Sequence, residues 1–263
     1  MAKMRRYFIE LSYDGTNYHG WQTQPNAVTV QEVLDKALST VLREPIETVG
    51  CGRTDTGVHA KEFFAHFTPQ PPEGGAFDGH VLTTMDRSLN SILPRDIAVK
   101  NIFEVDDEMH ARFSATLRSY QYHIHFNKDP FKNNYSWLLR DEPDLELMNQ
   151  AAKIMMEYTD FSCFSKSNTQ VKTNNCKINR AEWLKTDDGS IIFHISADRF
   201  LRNMVRAIVG TLLMVGRQEM APEAVRNIIE SKNRSNAGTS VPACGLYLTE
   251  VKYPPPNLLK GEQ

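Results

Sequence analysis

Two hydrophobic periods, one of two residues and one of about 3.6, alternate along the first part of the chain. Tyr7–Tyr13 alternates with period two, is rich in aromatics and runs into Asp14-Gly15, which predicts a strand ended by a turn. Val30, Val33, Leu34, Ala37, Leu38 and Val41 recur on one helical face behind Thr29, a good N-cap, and Pro45 is expected to stop that helix. Ile46–Val49 and Lys61–Phe67 read as strands, Val81–Leu93 as a helix and Ile97–Val105 as another strand. Pro69–Asp78, rich in Pro and Gly and without period, reads as a surface excursion.

The second part repeats the plan. Ser119–Phe126 alternates as a strand, with Tyr120, Tyr122, Ile124 and Phe126 on one face and His123 and His125 on the other. Leu145–Tyr158 is a predicted helix, and Lys177–Lys185 with Ser190–Ala197 a hairpin about Asp187-Asp188-Gly189. Met204, Val205, Ile208, Val209, Leu212 and Leu213 recur at helical spacing within Arg199–Arg217. A helix over Pro222–Ser231, a closing strand over Gly245–Lys252 with Leu246 and Leu248 on one face, and a loosely ordered tail at Pro254–Pro256 complete the pattern. Strand–helix–strand in each part predicts an α+β fold of two ferredoxin-like, split-βαβ halves. The break falls near Asp106–Glu108, giving an N-terminal lobe over 1–107 and a C-terminal lobe over 108–263.

Composition narrows the class. A chain of 263 residues, 41% hydrophobic and 24% charged, can bury a substantial core. No apolar run approaches the ~20 residues needed to cross a bilayer. Met1–Arg6 is basic, but the following strand carries Glu10 and is no signal-peptide core. The four cysteines, at 51, 163, 176 and 244, form no CxxC pair and imply neither a zinc site nor a disulfide framework. A cytoplasmic protein is expected. The His123-x-His125 strand lacks an acid or cysteine at ligand spacing, so no metal is expected.

A net charge of −2 does not announce a nucleic-acid partner, but local distribution does. Arg199, Arg202 and Arg206 fall at i, i+3 and i+7, Arg217 follows, and no acid lies between 199 and 217. The stripe reads either as a phosphate-contacting face or as a solvated one. Asn17–Gln22 holds Tyr18 and Trp21, which either stack on bases or brace a loop.

The richest stretch is Gly50–Ala60, where Asp55 lies two residues from Arg53 in a loop with glycines at 50, 52 and 57. The plain alternative is a tight turn whose Asp accepts nearby N–H groups. Asp55-Thr56-Gly57 alone suggests an aspartic protease, but that chemistry needs a second carboxylate sharing one proton, and no second copy occurs. A carboxylate held ionised beside an arginine suits nucleophilic work on an anionic substrate. With the arginine stripe and the tyrosine-bearing strand, the substrate class becomes a nucleic acid.

Gly52-Arg53-Thr54-Asp55-Thr56-Gly57-Val58-His59-Ala60 resembles the signature loop of the bacterial tRNA pseudouridine synthase A family. Tyr13-Asp14-Gly15, Gly20-Trp21-Gln22, His110–Thr116, Tyr120-x-Tyr122, Met204-Val205-Arg206, Ile208-Val209-Gly210 and Gly245–Leu248 continue the likeness in order. The resemblance implies an isomerase that converts uridine to pseudouridine at positions 38, 39 and 40 of the tRNA anticodon stem-loop. It implies no cofactor, a homodimer, and two halves joined into an extended mixed sheet with helices on one side and a central cleft. It makes Asp55 the nucleophile and Tyr120 the residue that packs on the target base, with a part in the final proton removal. Arg53 and Arg206 match basic positions facing the nucleophile and the RNA. A catalytically idle RNA-binding protein is the alternative. The chain departs from the family pattern at Thr56, Ser119 and Asn203.

Overall fold

In the computed structural model, which describes residues 4–70, 77, 79–165 and 173–255, the chain forms two units. One is Met1–Thr116 with Thr249–Gln263, the other Leu117–Leu248. Nine strands and five helices among the described residues make an α+β fold with a mixed, open sheet.

The first unit is built from β1 (Arg6–Tyr13), α1 (Val30–Leu42), β2 (Val49–Gly50), β3 (His59–Phe67), α2 (Gly79–Ile92) and β4 (Ile97–Val105). β1 is central: it pairs antiparallel with β3, Ile9 opposite Ala65, and antiparallel with β4, Ile9 opposite Ile102. Buried on both faces, β1 reads Tyr7-Phe8-Ile9 rather than strictly alternating. Thr29 caps α1, its side chain accepting from the Glu32 N–H. The helix ends earlier than Pro45 would require, at Arg43, which takes the left-handed conformation at φ 59°. Of the expected 46–49 strand only Val49 pairs with β3, and Gly50 beyond it continues the pairing. The preceding residues are tied to α1 instead, Ile46 N–H to Ser39 Oγ and Thr48 N–H to Asp35 Oδ1. Most of the 69–78 excursion lies outside the described residues.

The second unit contains β5 (Leu117–His125), β6 (Trp137–Leu138), α3 (Leu145–Met155), β7 (Ile178–Lys185), β8 (Ile191–Ala197), α4 (Met204–Gly216) and α5 (Ala224–Glu230). β5 and β7 flank β8 antiparallel, β6 runs parallel to β5, and Tyr122, Phe193 and Trp183 form one buried row across the three long strands. β9 (Leu246–Lys252) belongs to the second unit through Leu248 and to the first from Thr249. Each unit ties a helix to a strand with one amide. Asn90 of α2 donates to Val99 O and accepts from Val99 N–H, both at 2.8 Å. Asn149 of α3 does the same with Trp183, at 3.1 and 2.7 Å. Satisfying both backbone groups of one strand residue fixes helix against strand more tightly than apolar packing alone.

The arginines depart from the expected stripe. α4 begins at Met204, after Asn203 at φ 67°, so Arg199 and Arg202 precede the helix. The Asp198 carboxylate accepts the Arg199 and Lys177 N–H groups at 2.7 Å and holds that lead-in as a loop. The three arginines therefore do not share a helical stripe. Arg217 caps the C-terminus of α4, 3.9 Å from Glu219.

Burial pushes the Asp35 carboxyl up to about 6, against two opposing hydrogen bonds from Thr48. A carboxyl raised in the native state contributes stability at low pH that is lost as pH rises through the native value, here from about 4 to about 6. Asp35→Asn keeps the Oδ1 acceptor without the charge. It is expected to gain about 1–2 kcal/mol relative to wild type between pH 4.5 and pH 8, read from urea midpoints at the two pH values.

Candidate active site

The Gly50–Ala60 loop of the first unit rests on the turn that follows β1. Three rings lie beneath it: Trp21 stacks on Phe63 at 4.1 Å between centroids, and Tyr13 meets Phe63 at 5.5 Å. Gly50 is required there, because a Cβ would lie 2.5 Å from Trp21 Nε1. Gly15 lies flat against the Val58 carbonyl, 2.0 Å from where its own Cβ would stand. Tyr18 and Trp21 are buried, which decides between their two readings: they brace the loop and do not present rings to a base.

Hydrogen bonds fix the loop on either side of Asp55. The hydroxyls of Tyr13 and Thr54 bond at 2.9 Å, and the Thr54 carbonyl accepts the Trp21 N–H at 3.2 Å. The Val58 N–H closes a turn onto the Asp55 carbonyl at 3.1 Å, and the Gly57 N–H donates to Tyr18 O. Gly57 sits at φ 76°, where a side chain would be strained. Behind the turn the Gly15 N–H donates to His59 Nδ1 at 3.1 Å, and the Asp14 carboxylate lies 3.0 Å from the same nitrogen. Thr54 and Val58 point inward, whereas Asp55 is half-buried and Arg53 and Thr56 are exposed. At Gly52 a Cβ would meet nothing within 4 Å. The loop thus has a rigid, hydrogen-bonded back and an open front carrying a carboxylate and a guanidinium.

Tyr120 and Arg206 belong to the second unit. Tyr120 is half-buried on β5, opposite Ile195, with its ring edge-on to Phe200 at 5.1 Å. Its neighbour on that face, Tyr122, is sealed, donating to Pro242 O at 2.8 Å, and burial raises its phenol well above the ordinary value. Arg206 is half-buried in the first turn of α4, and its Nε donates to Val241 O at 2.7 Å. Residues 237–241 are clamped to α4: the Gly238 N–H donates to Thr211 Oγ1, and a Cβ at Gly210 would lie 1.9 Å from Thr239 O. Arg234 adds bonds to Ala237 O, Gly238 O and Ser240 Oγ.

All four cysteines are free; burial pushes Cys163 and Cys176 up to about 12, which leaves them thiols rather than thiolates. Among the described residues no three His, Cys, Asp or Glu side chains are grouped to hold a metal ion. No helix among them is long and apolar enough to cross a membrane.

Residues 151–254 match the model of a protein family described as tRNA pseudouridine synthase. Curated relatives extend the match. The tRNA pseudouridine synthase A of Parabacteroides distasonis is 51% identical over 95% of this chain and 97% of its own length. That of Porphyromonas gingivalis is 48% identical over 95% and 98%, and that of Clostridium acetobutylicum 40% identical over 95% and 100%. The chain belongs to the tRNA pseudouridine synthase A family. As a member it is an isomerase of the pseudouridine synthase class. The family model lies within the second half and includes Arg206, whereas the relatives align over nearly the whole chain.

Asp55 and its loop are conspicuous in the sequence, whereas the way they are held is not. Tyr13, Gly15, Gly20 and Trp21 stood out as short motifs, yet only the fold shows them stacked behind residues 50–58. Phe200, which meets Tyr120 edge-on, and the 237–241 segment under Arg206 gave no periodic signal.

Proposed function

We propose that this enzyme isomerises uridine to pseudouridine at positions 38, 39 and 40 of the tRNA anticodon stem-loop, with Asp55 as the nucleophile. The observation that carries the reading is the half-buried carboxylate at the open front of a loop whose back is fixed by buried aromatics. A uridine inside a helix cannot bring its glycosidic bond to a side chain, so the base must first leave its stack, at a cost of a few kcal/mol. Arg53, exposed two residues before Asp55, supplies charge for the flanking phosphate. Tyr120 offers a half-exposed face, and base–aromatic stacking is worth about 1–3 kcal/mol. Asp55 then forms a carbon–oxygen bond to the substrate, the glycosidic carbon–nitrogen bond breaks, uracil rejoins ribose through C5, and the bond to Asp55 breaks to restore the carboxylate. C5 gives up its proton, with Tyr120 assisting the removal, and N1 takes one up. Reactants and product are isomers, so nothing is consumed and no cofactor is required.

The test is tritium release from unmodified tRNA labelled at uridine C5, with positions 38, 39 and 40 replaced singly and all together. Release that persists when all three are replaced overturns the site assignment. Arg206→Ala is expected to raise KM about tenfold and to reduce the salt dependence of tRNA binding by about one ion, with kcat little changed. An unchanged salt slope removes Arg206 from the RNA contact. The same reading makes the protein a cytoplasmic homodimer; a sedimentation mass of a single chain would contradict the dimer.

A further inference from the structure

One matched motif has no part in that chemistry. His110–Thr116 leads into β5, and it carries Phe113 with 76% of its surface exposed. An exposed phenyl ring is usually a flexible one, but this ring is held. His110 Nδ1 accepts the Arg112 and Phe113 N–H groups at 3.1 and 3.3 Å, and the Ser114 N–H returns to His110 O at 2.9 Å. Ser114 Oγ accepts the His110 N–H at 3.0 Å. Beneath the turn Ala111 is fully buried, its N–H on His66 Nδ1 at 3.1 Å and its carbonyl accepting from Tyr253 Oη at 2.6 Å. Burial beside Arg6 holds both His66 and His110 below the ordinary histidine range, so their Nδ1 lone pairs stay available near neutral pH.

The ring is also dressed for a particular partner. His110 packs on it at 4.3 Å between centroids, tilted by 36°, and the Arg112 guanidinium lies 5.7 Å from its centre. Imidazole, phenyl and guanidinium together make a cation-bearing aromatic cluster carried by a hydrogen-bonded turn, with Phe113 exposed. A protein partner would gain from the apolar ring but would have to desolvate Arg112. A nucleotide uses both, its base on the ring and its phosphate on the guanidinium.

We propose that Phe113, flanked by His110 and Arg112, is a stacking platform for an unpaired base of the tRNA other than the target uridine, and so a positioning residue for the reaction. The proposal rests on tRNA being the substrate. The hydrogen-bonded turn matters here, because a ring on an ordered backbone loses less entropy on stacking than one on a flexible loop.

The test compares wild type, Phe113→Ala, Phe113→Trp and Arg112→Ala for tRNA affinity over a range of salt, with turnover measured by tritium release. Phe113→Ala is expected to weaken tRNA binding and raise KM about tenfold, within the range that one lost stacked base allows, with kcat within about twofold and the salt slope unchanged. Phe113→Trp restores affinity, and the fluorescence of the introduced indole is quenched on adding tRNA. Arg112→Ala lowers the salt slope by about one. Phe113→Ala affinity within twofold of wild type overturns the platform, as does a fall in kcat with KM unchanged. A change in sedimentation mass on Phe113→Ala overturns it in favour of an interface between copies. If wild-type protein itself fails to bind tRNA, the substrate assignment falls first. If wild type binds and Phe113→Ala binds equally, only the platform is lost.

Discussion

Asp55→Asn abolishes tritium release from tRNA labelled at uridine C5, by about a thousandfold or more, while tRNA affinity stays within about twofold. The substitution is nearly isosteric, and three contacts that shape the loop are made by groups other than the Asp55 side chain. The turn closes on the Asp55 carbonyl, the Tyr13–Thr54 bond lies one residue back, and the Gly57 N–H reaches Tyr18 O. A carboxamide therefore fits the same loop but cannot form the carbon–oxygen bond that releases uracil. Urea midpoints should move little, which separates lost chemistry from lost fold. A variant retaining a tenth of wild-type release would remove Asp55 as nucleophile and pass the role to another group. Wild-type protein that binds tRNA but releases no tritium would instead support the idle RNA-binding alternative.

How far the chain could be read in advance depended on what kind of force fixed each part. Elements set by local burial were legible: β4 spans Ile97–Val105 as the alternation predicts, and α1 starts behind Thr29. Their limits were less so, because side chains distant in sequence decide them. The 46–49 strand is shortened by Asp35 and Ser39, which take the backbone donors that a strand would have offered to β3. The start of α4 is set by Asn203 in a left-handed conformation and by Asp198 accepting two backbone N–H groups. Neither is visible in the helical spacing of Met204, Val205, Ile208, Val209, Leu212 and Leu213. The expected arginine stripe failed for that reason, since spacing of i, i+3 and i+7 means a shared face only where the backbone is helical.

The site shows the same division. Asp55 and Arg53 stood out because charged residues crowd a glycine-rich loop between apolar strands. Tyr18 and Trp21 were ambiguous, because an aromatic loop that braces and one that binds have the same composition. Their burial, with Trp21 stacked on Phe63, resolves it. Phe113 is the converse case. Its exposure could not be foreseen from an apolar letter in an apolar-rich chain.

Gly20→Ala is expected to damage both fold and catalysis, although residue 20 touches no substrate in the proposed reaction. Gly20 sits at φ +86°, and a Cβ there would lie 2.4 Å from the Thr54 carbonyl oxygen and 3.2 Å from the Asp55 carbonyl carbon. Both obstacles are backbone, so the strain cannot be relieved by turning a side chain. The left-handed conformation adds about 1–2 kcal/mol for a residue with a Cβ. Pushing the Thr54 carbonyl away also breaks its bond to the Trp21 N–H. A loss of about 2–4 kcal/mol of stability is expected from the sum, measured by urea denaturation. A displacement of about 1 Å at Asp55 is enough to lower kcat about a hundredfold. Gly52→Ala is the control on the other side of the loop. Its Cβ would meet nothing within 4 Å, so stability should stay within about 0.5 kcal/mol of wild type. If the open front is where the extruded uridine enters, Gly52→Ala raises KM with the fold intact. Unchanged KM and kcat in Gly52→Ala would show that the nucleotide approaches Asp55 from another direction. Full activity in Gly20→Ala would show that the loop tolerates displacement, contrary to the rigidity on which the nucleophile's placement depends.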